Sequence, residues 1–245
     1  MNPWLISAPG SVLAAAGIVS YGAIHSRSQL FGETIFCTDS PRRLAITFDD
    51  GPNPAVTPQL LDSLSRLNVP ATFFLIGRYI RQNPELVREI HDRGHVIGNH
   101  TDTHPNLFFC SPAQIRQQLR ACSNSVAAIL GQPPRWVRPP WGARNPWLAP
   151  IAQELKLRVA MWTLMPADWR APNDQWLIRR LQPVSARARS AAATGEVICL
   201  HDGSHLAQNA KRMHTLAALE YWLPRWRDLG LEFVTIPDAV HRPAD

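Results

Sequence analysis

Residues 44–52 read Leu44-Ala45-Ile46-Thr47-Phe48-Asp49-Asp50-Gly51-Pro52. The apolar run Leu44 to Ile46 has the composition of a buried strand, and the two carboxylates stand where that strand ends. A buried charge must be paired or bind a metal, so adjacent acids at such a place need partners. Gly51 and Pro52 force a turn, which puts both acids at a strand-to-loop mouth. Side chains on a strand alternate between faces, but a turn at its end can bring both acids toward one cavity. An ordinary Asp-Asp-Gly-Pro turn has the same sequence. Motifs further along the chain decide between the two.

From Arg42 onward, short apolar runs alternate with amphipathic helical patterns, the signature of a βαβ series with a parallel sheet. Strands are predicted near Leu44–Phe48, Ala71–Ile76, Val96–Asn99, Trp136–Arg138, Arg158–Trp162, Glu196–Leu200 and Glu232–Thr235. Helices are predicted near Pro58–Leu67, Pro84–Arg93, Pro112–Leu130, Pro146–Leu155, Asp174–Leu181 and Arg212–Leu229. Pro58, Pro84, Pro112 and Pro146 each stand at a helix start, where proline is tolerated. About seven such repeats predict an α/β fold, a closed or nearly closed (β/α) barrel whose active site lies at the carboxyl edge of the strands.

The chain has 245 residues, 45% of them hydrophobic and 18% charged, which are globular values. Formal charge is +6, and lysine occurs only at Lys156 and Lys211, so the basicity is almost all arginine. Such a surface favours anionic partners such as phospholipid headgroups or acidic glycans. No nucleic-acid motif is present, which argues against that class. Cys37, Cys110, Cys122 and Cys199 have neither metal-finger spacing nor a close pair. Residues 4–24 are uncharged and weakly apolar, and residues 25–41 read as a linker. The expectation is a membrane anchor or membrane-surface segment at 1–41, the rival being a helix folded against a catalytic domain at 42–240. Localisation is then expected at a membrane, or otherwise in the cytoplasm or cell envelope.

Polar residues recur just after the predicted strands. His100-Thr101-Asp102-Thr103-His104-Pro105 follows the third and carries two imidazoles four positions apart, a spacing that suits one ion. With an acid from another strand end they make a two-histidine, one-carboxylate set for Zn2+, or for Co2+, Ni2+, Mn2+ or iron. Arg138-Pro139-Pro140-Trp141-Gly142 follows the fourth, and its arginine can fork onto a carboxylate. Asp168-Trp169 follows the fifth and Leu200-His201-Asp202-Gly203 closes the sixth, with a histidine able to act as general acid. His25, His91, His95, His205, His214 and His241 read as structural. The residues alone leave open which of Asp49 and Asp50 binds metal.

In order and content these five motifs closely resemble those of the polysaccharide deacetylases, the NodB-homology or carbohydrate esterase family four enzymes, over about residues 42–238. The resemblance implies a distorted (β/α) barrel and metal-dependent removal of N-acetyl groups from an amino sugar of a polysaccharide or glycoconjugate. It implies Asp50, His100 and His104 as metal ligands, and Asp49 as the base acting on a metal-activated water. Arg138 would hold Asp49, His201 would be the acid and Asp168 would orient it. Trp141 would offer its backbone N–H to the oxyanion, and Trp169 would wall the acyl pocket. Three positions depart from the family pattern: Trp141 where tyrosine is commoner, Cys199 where leucine lines the acyl pocket, and Met165 where an aspartate is frequent. Peptidoglycan-like and chitin-like glycans are the expected substrates. The alternatives are a deformylase or deacetylase of a lipid-linked amino sugar, and a glycan-binding module without turnover.

Overall fold

The computed structural model describes residues 7–189 and 194–239, with side chains from residue 16 onward. The first part of the uncharged stretch and His241 lie outside the described residues. After an initial helix α1 (Ser7–Ile24) come β1 (Arg43–Gly51), α2 (Thr57–Arg66), β2 (Thr72–Leu75), α3 (Gly77–Gln82), α4 (Pro84–Asp92) and β3 (Val96–Asn99). The second half comprises α5 (Pro112–Leu130), β4 (Trp136–Val137), α6 (Leu148–Glu154), β5 (Arg158–Val159), α7 (Asp174–Ala188), β6 (Glu196–His201), α8 (Met213–Asp228) and β7 (Glu232–Val234).

All strand pairs are parallel, in the order β5-β4-β3-β2-β1-β6, and β7 pairs the first residues of β1. The segment after β5 then reaches β6 through an isolated bridge between Leu164 and Ile198. Thr163 N donates to Val197 O at 2.9 Å and Cys199 N to Leu164 O at 2.9 Å. That seam joins the two edges, so among the described residues no long sheet edge is left to pair with another chain. The expected distorted barrel is therefore the observed one.

Strand alternation decides what fills the barrel. Leu44, Ile46 and Phe48 of β1 belong to the cluster formed with Leu60, Leu61 and Leu64 of α2 and Leu219, Leu223 and Trp226 of α8. Ala45 belongs to a second cluster with Phe74, Val137, Val197 and Cys199. Thr47 and Asp49 therefore share the face of Ala45 and point into the barrel. Helix starts follow the sequence signals. Ser111 caps α5, donating its N–H to Gln114 Oε1 at 2.8 Å and accepting from Gln114 N at 3.3 Å, a reciprocal capping box. Gly131, with φ 75°, ends that helix. The short α3 was not predicted, and α7 runs on past Pro183 beyond its expected end at Leu181.

A guanidinium spans the interior. Arg138 is fully buried, and Nη1 donates to Asp49 Oδ1 at 2.8 Å and Thr47 Oγ1 at 2.7 Å. Nε donates to Ala160 O at 3.3 Å and Nη2 to Met161 O at 3.0 Å, while the guanidinium carbon lies 4.2 Å from the centre of the Phe74 ring.

The amino-terminal segment differs from the anchor expectation. Among the described residues no helix is long and apolar enough to cross a membrane. The end of α1 instead docks on the domain: Arg144, 1% exposed, donates Nε to Gly22 O at 3.1 Å and Nη2 to His25 O at 2.7 Å and Ser28 O at 2.9 Å. A cation at a helix carboxyl end meets its unpaired carbonyls and the negative pole of its dipole. Nor is 25–41 a free tether, since Ile35 N donates to Val159 O at 2.9 Å and Thr38 bridges Gly195.

These buried cations give two expected outcomes. Arg138→Met leaves the Asp49 charge without its partner in the barrel and is expected to lower unfolding free energy by about 3–5 kcal/mol, read from urea denaturation. Arg144→Ala is expected to raise amide hydrogen exchange over residues 16–30 while β1 keeps its protection.

Candidate active site at the carboxyl edge of the barrel

Asp49 and Asp50 are neighbours in sequence but meet different partners. Asp49 follows the strand geometry and stays inside. Asp50 takes φ 71°, which swings its carboxylate away toward the loop after β3. Thr101, His104 and Trp141 also have positive φ, 65°, 64° and 54°. Outside glycine each such residue costs about 1–3 kcal/mol, and they gather where a site over-determines the backbone.

The loop after β3 is pinned from several sides. Asn99 Oδ1 accepts from Thr101 N at 2.8 Å, and Thr101 Oγ1 accepts from His104 N at 3.0 Å. Gln118 Oε1 of α5 accepts from Asp102 N and Thr103 N at 3.0 and 2.9 Å. His100 Nδ1 lies 2.8 Å from Arg138 O. A carbonyl only accepts, so Nδ1 carries the proton and Nε2 presents a lone pair. That lone pair is 3.5 Å from Asp50 Oδ1, and His104 Nε2 is 3.1 Å from the same oxygen.

All three groups are buried, and Asp50 Oδ1 accepts no hydrogen bond. Burial alone would raise the pKa of Asp50, but the imidazoles of His100, His104 and His205 hold it well below the usual carboxylate range. Burial pushes His104 down to about 4. A carboxylate oxygen thus faces imidazole nitrogens with no hydrogen bond to satisfy it, and the three ligand atoms lie within 4.8 Å of one another. Those residues fit a divalent cation in type, protonation and spacing.

Across the barrel edge, Asp168 holds His201. Its Oδ1 lies 2.8 Å from His201 Nδ1, and its Oδ2 accepts from His201 N at 2.9 Å and Thr215 Oγ1 at 2.8 Å. Burial would lower the His201 pKa, but the charge and hydrogen bond of Asp168, then the charges of Asp49 and Asp50, raise it to about 9. Trp169 lies edge-on to the His201 ring at 4.7 Å and is 40% exposed. Trp141 is 50% exposed, with its ring edge-on to His104 at 4.4 Å between ring centres. Cys199 is 1% exposed, and its thiol donates to Asp49 Oδ2 at 3.3 Å.

Sequence reasoning missed His205. It stacks on His104 at 4.3 Å and 13°, and its Nδ1 is 3.8 Å from Asp50 Oδ2. Tyr79 Oη donates to Ser204 O at 3.1 Å, and Arg78 also bonds His205 O, fixing that loop. The only hint in the sequence is its place four residues beyond His201. Asp202 and Gly203 carry no role in the sequence reading. Asp202 is buried, accepts from Thr57 Oγ1, and burial pushes its pKa up to about 7. A Cβ on Gly203 would collide with Asp50 O, so this contact admits only glycine. The four cysteines are all free.

Comparison with known proteins agrees with this geometry. Residues 37–160 match the sequence model of the family described as polysaccharide deacetylase. A chitooligosaccharide deacetylase from Bradyrhizobium sp. is 33% identical over 203 residues, 80% of this chain and 90% of the relative. The peptidoglycan-N-acetylglucosamine deacetylase PgdA of Listeria monocytogenes is 34% identical over 199 residues, covering 80% of this chain but only 38% of that longer protein. Among solved structures, the Bc1960 peptidoglycan N-acetylglucosamine deacetylase superposes with a TM-score of 0.73 at 31% identity, over 84% of this chain and 92% of that one. The barrel, the motif order and these likenesses together make the chain a member of the polysaccharide deacetylase family.

Proposed function

We propose that this protein hydrolyses the N-acetyl group of N-acetylglucosamine residues in a chitin-like or peptidoglycan glycan, using a divalent cation held by Asp50, His100 and His104. The observation that carries the reading is the buried Asp50 oxygen, without a hydrogen bond, between two imidazole nitrogens. Zinc suits the donor set best. When bound, the cation would supply Lewis acidity beside the scissile carbonyl.

The chain's own groups do the rest. Asp49 takes the proton of the attacking water, and the Arg138 guanidinium holds its carboxylate in place through Oδ1. His201 gives its proton to the leaving nitrogen, sparing the reaction an amide anion, with Asp168 fixing the ring at Nδ1. The backbone N–H of Trp141 stabilises the tetrahedral oxyanion, a contribution of about 3–4 kcal/mol where such a donor is preorganised. Trp169 walls the acyl pocket beside His201, and the exposed indoles of Trp141 and Trp169 offer flat apolar faces to sugar rings. A wall glycan as substrate sets the work of the enzyme in the cell envelope.

Acetate release from chito-oligosaccharides and from peptidoglycan tests the reading. A strong chelator is expected to abolish release, and added Zn2+ or Co2+ to restore it. Asp49→Asn is expected to cost at least about 10²-fold in kcat while calorimetric metal binding persists. Release at the wild-type rate from that variant sinks the base assignment.

The His201–Asp168 pair gives a pH signature. His201 holds its proton below about 9, so kcat falls as pH rises through that value. Its stabilisation of the fold is complete below the unfolded-state pKa of about 6.5 and is lost as pH rises through the folded one. Asp168→Asn removes the charge that raises the pKa and is expected to move the alkaline limb of the kcat profile to lower pH.

A further inference from the structure

The register of β1 with β6 brings together three donors of a different chemistry. Thr47 pairs Cys199 and Asp49 pairs His201 across these strands. Cys199 and His201, two apart, share one face of β6, and Asp49 stands beside them on the same side of the sheet. One ligand atom from each of Asp49, Cys199 and His201 lies within 4.8 Å of the others.

Asp49 and His201 each have one atom engaged by a partner outside the trio and one left over. Asp49 Oδ1 is taken by Arg138, leaving Oδ2, which is 3.3 Å from Cys199 Sγ. His201 Nδ1 is taken by Asp168, leaving Nε2. We infer that Asp49, Cys199 and His201 form a second, inhibitory site for a borderline-soft divalent cation such as Zn2+ or Co2+.

Carboxylate, thiolate and imidazole with one open position make a tetrahedral zinc set, whereas Mg2+ and Ca2+ decline sulfur. Outer partners are in place, since ligating groups need hydrogen-bonded neighbours to orient them, and Arg138 and Asp168 serve here. Burial and the Asp49 charge push the Cys199 thiol pKa well up, so an ion must displace the thiol proton to bind. Once it has, Asp49, Cys199 and Asp168 carry three negative charges against one on Arg138, and a dication neutralises the remainder. Binding forms bonds from the metal to Oδ2, Sγ and Nε2 and releases to solvent the thiol proton and any proton on Nε2. His201, at 13% side-chain exposure, is the most open of the three and marks the entry side. An ion there ties up the proton acceptor and the proton donor together. The inhibition rests on the proposed reaction; the binding does not.

Titration of the metal-free protein with Co2+, followed by calorimetry and absorbance, separates the two. A first event without a thiolate band reports Asp50, His100 and His104. A second, weaker event is expected to bring a near-ultraviolet thiolate-to-cobalt charge-transfer band and to depress acetate release at least about tenfold. Cys199→Ala is expected to remove the band and weaken the second event at least about tenfold while retaining the first. Mg2+ is expected to give no second event. Absence of the thiolate band in the wild-type protein through two equivalents of Co2+ overturns the second site, as does a second event that survives Cys199→Ala. Loss of the first event alone would instead strike the proposed function.

Discussion

The ion pair between Arg138 and Asp49, 2.8 Å long and buried, ties the barrel interior to the candidate site. A guanidinium in a barrel interior is costly, because desolvation of a charge exceeds what one carboxylate returns unless the remaining donors are also met. Here Nε, Nη1 and Nη2 all donate, and they reach β1 and the two residues that follow β5. The side chain therefore works as a cross-brace as well as a counter-charge. Phe74 supplies the face beneath it, and at Gly98 a Cβ would collide with that ring. Glycine in β3 thus makes room for the ring beneath the cation that holds Asp49.

Given that brace, two identical side chains acquire different chemistry from a single backbone torsion. Asp49 remains on the strand, between a guanidinium and a thiol. One residue later the chain enters the left-handed region, and Asp50 meets imidazoles. Neither pleat nor turn alone would separate them. A strand end is where both are available, which is why paired acids before Gly-Pro are informative here and would be ordinary inside a loop. His201 obeys the same logic from the facing strand, fixed at Nδ1 by Asp168 so that one ring nitrogen remains for chemistry.

The sheet was legible because its strands are short apolar runs closed by turn residues, and each observed strand falls on or within about two or three residues of the predicted one. Tertiary facts were not legible. The helix Gly77–Gln82 follows β2 with no polar gap to announce it, and Pro183 reads as a stop although its helix continues through it. Composition could not say whether an apolar amino-terminal helix meets lipid or protein; three carbonyls on Arg144 decide that for its carboxyl end. At the site, every residue named from the motifs stands at the carboxyl edge, but a lone histidine such as His205 carries no local signal of its stacking partner. The family pattern names Cys199 as an acyl-pocket position; its place on one face with His201, two positions on, follows from strand alternation and brings its thiol to Asp49.

Burial divides the candidate site into an interior and a rim. Asp49, Asp50, His100, His104, Arg138 and Asp168 are all buried, whereas Trp141 and Trp169 are half-open and His205 bridges the two zones. Interior positions are fixed by one another's hydrogen bonds, so a change at one disturbs several. The rim is freer, and one part of it has an unusual support. Trp141 stands three residues before Arg144, whose side chain grips the end of α1 and whose backbone N–H donates to Ala23 O at 3.0 Å. The amino-terminal helix is thereby tied to the loop that carries the exposed Trp141 indole. The docking of α1 and the shape of that rim share one arginine.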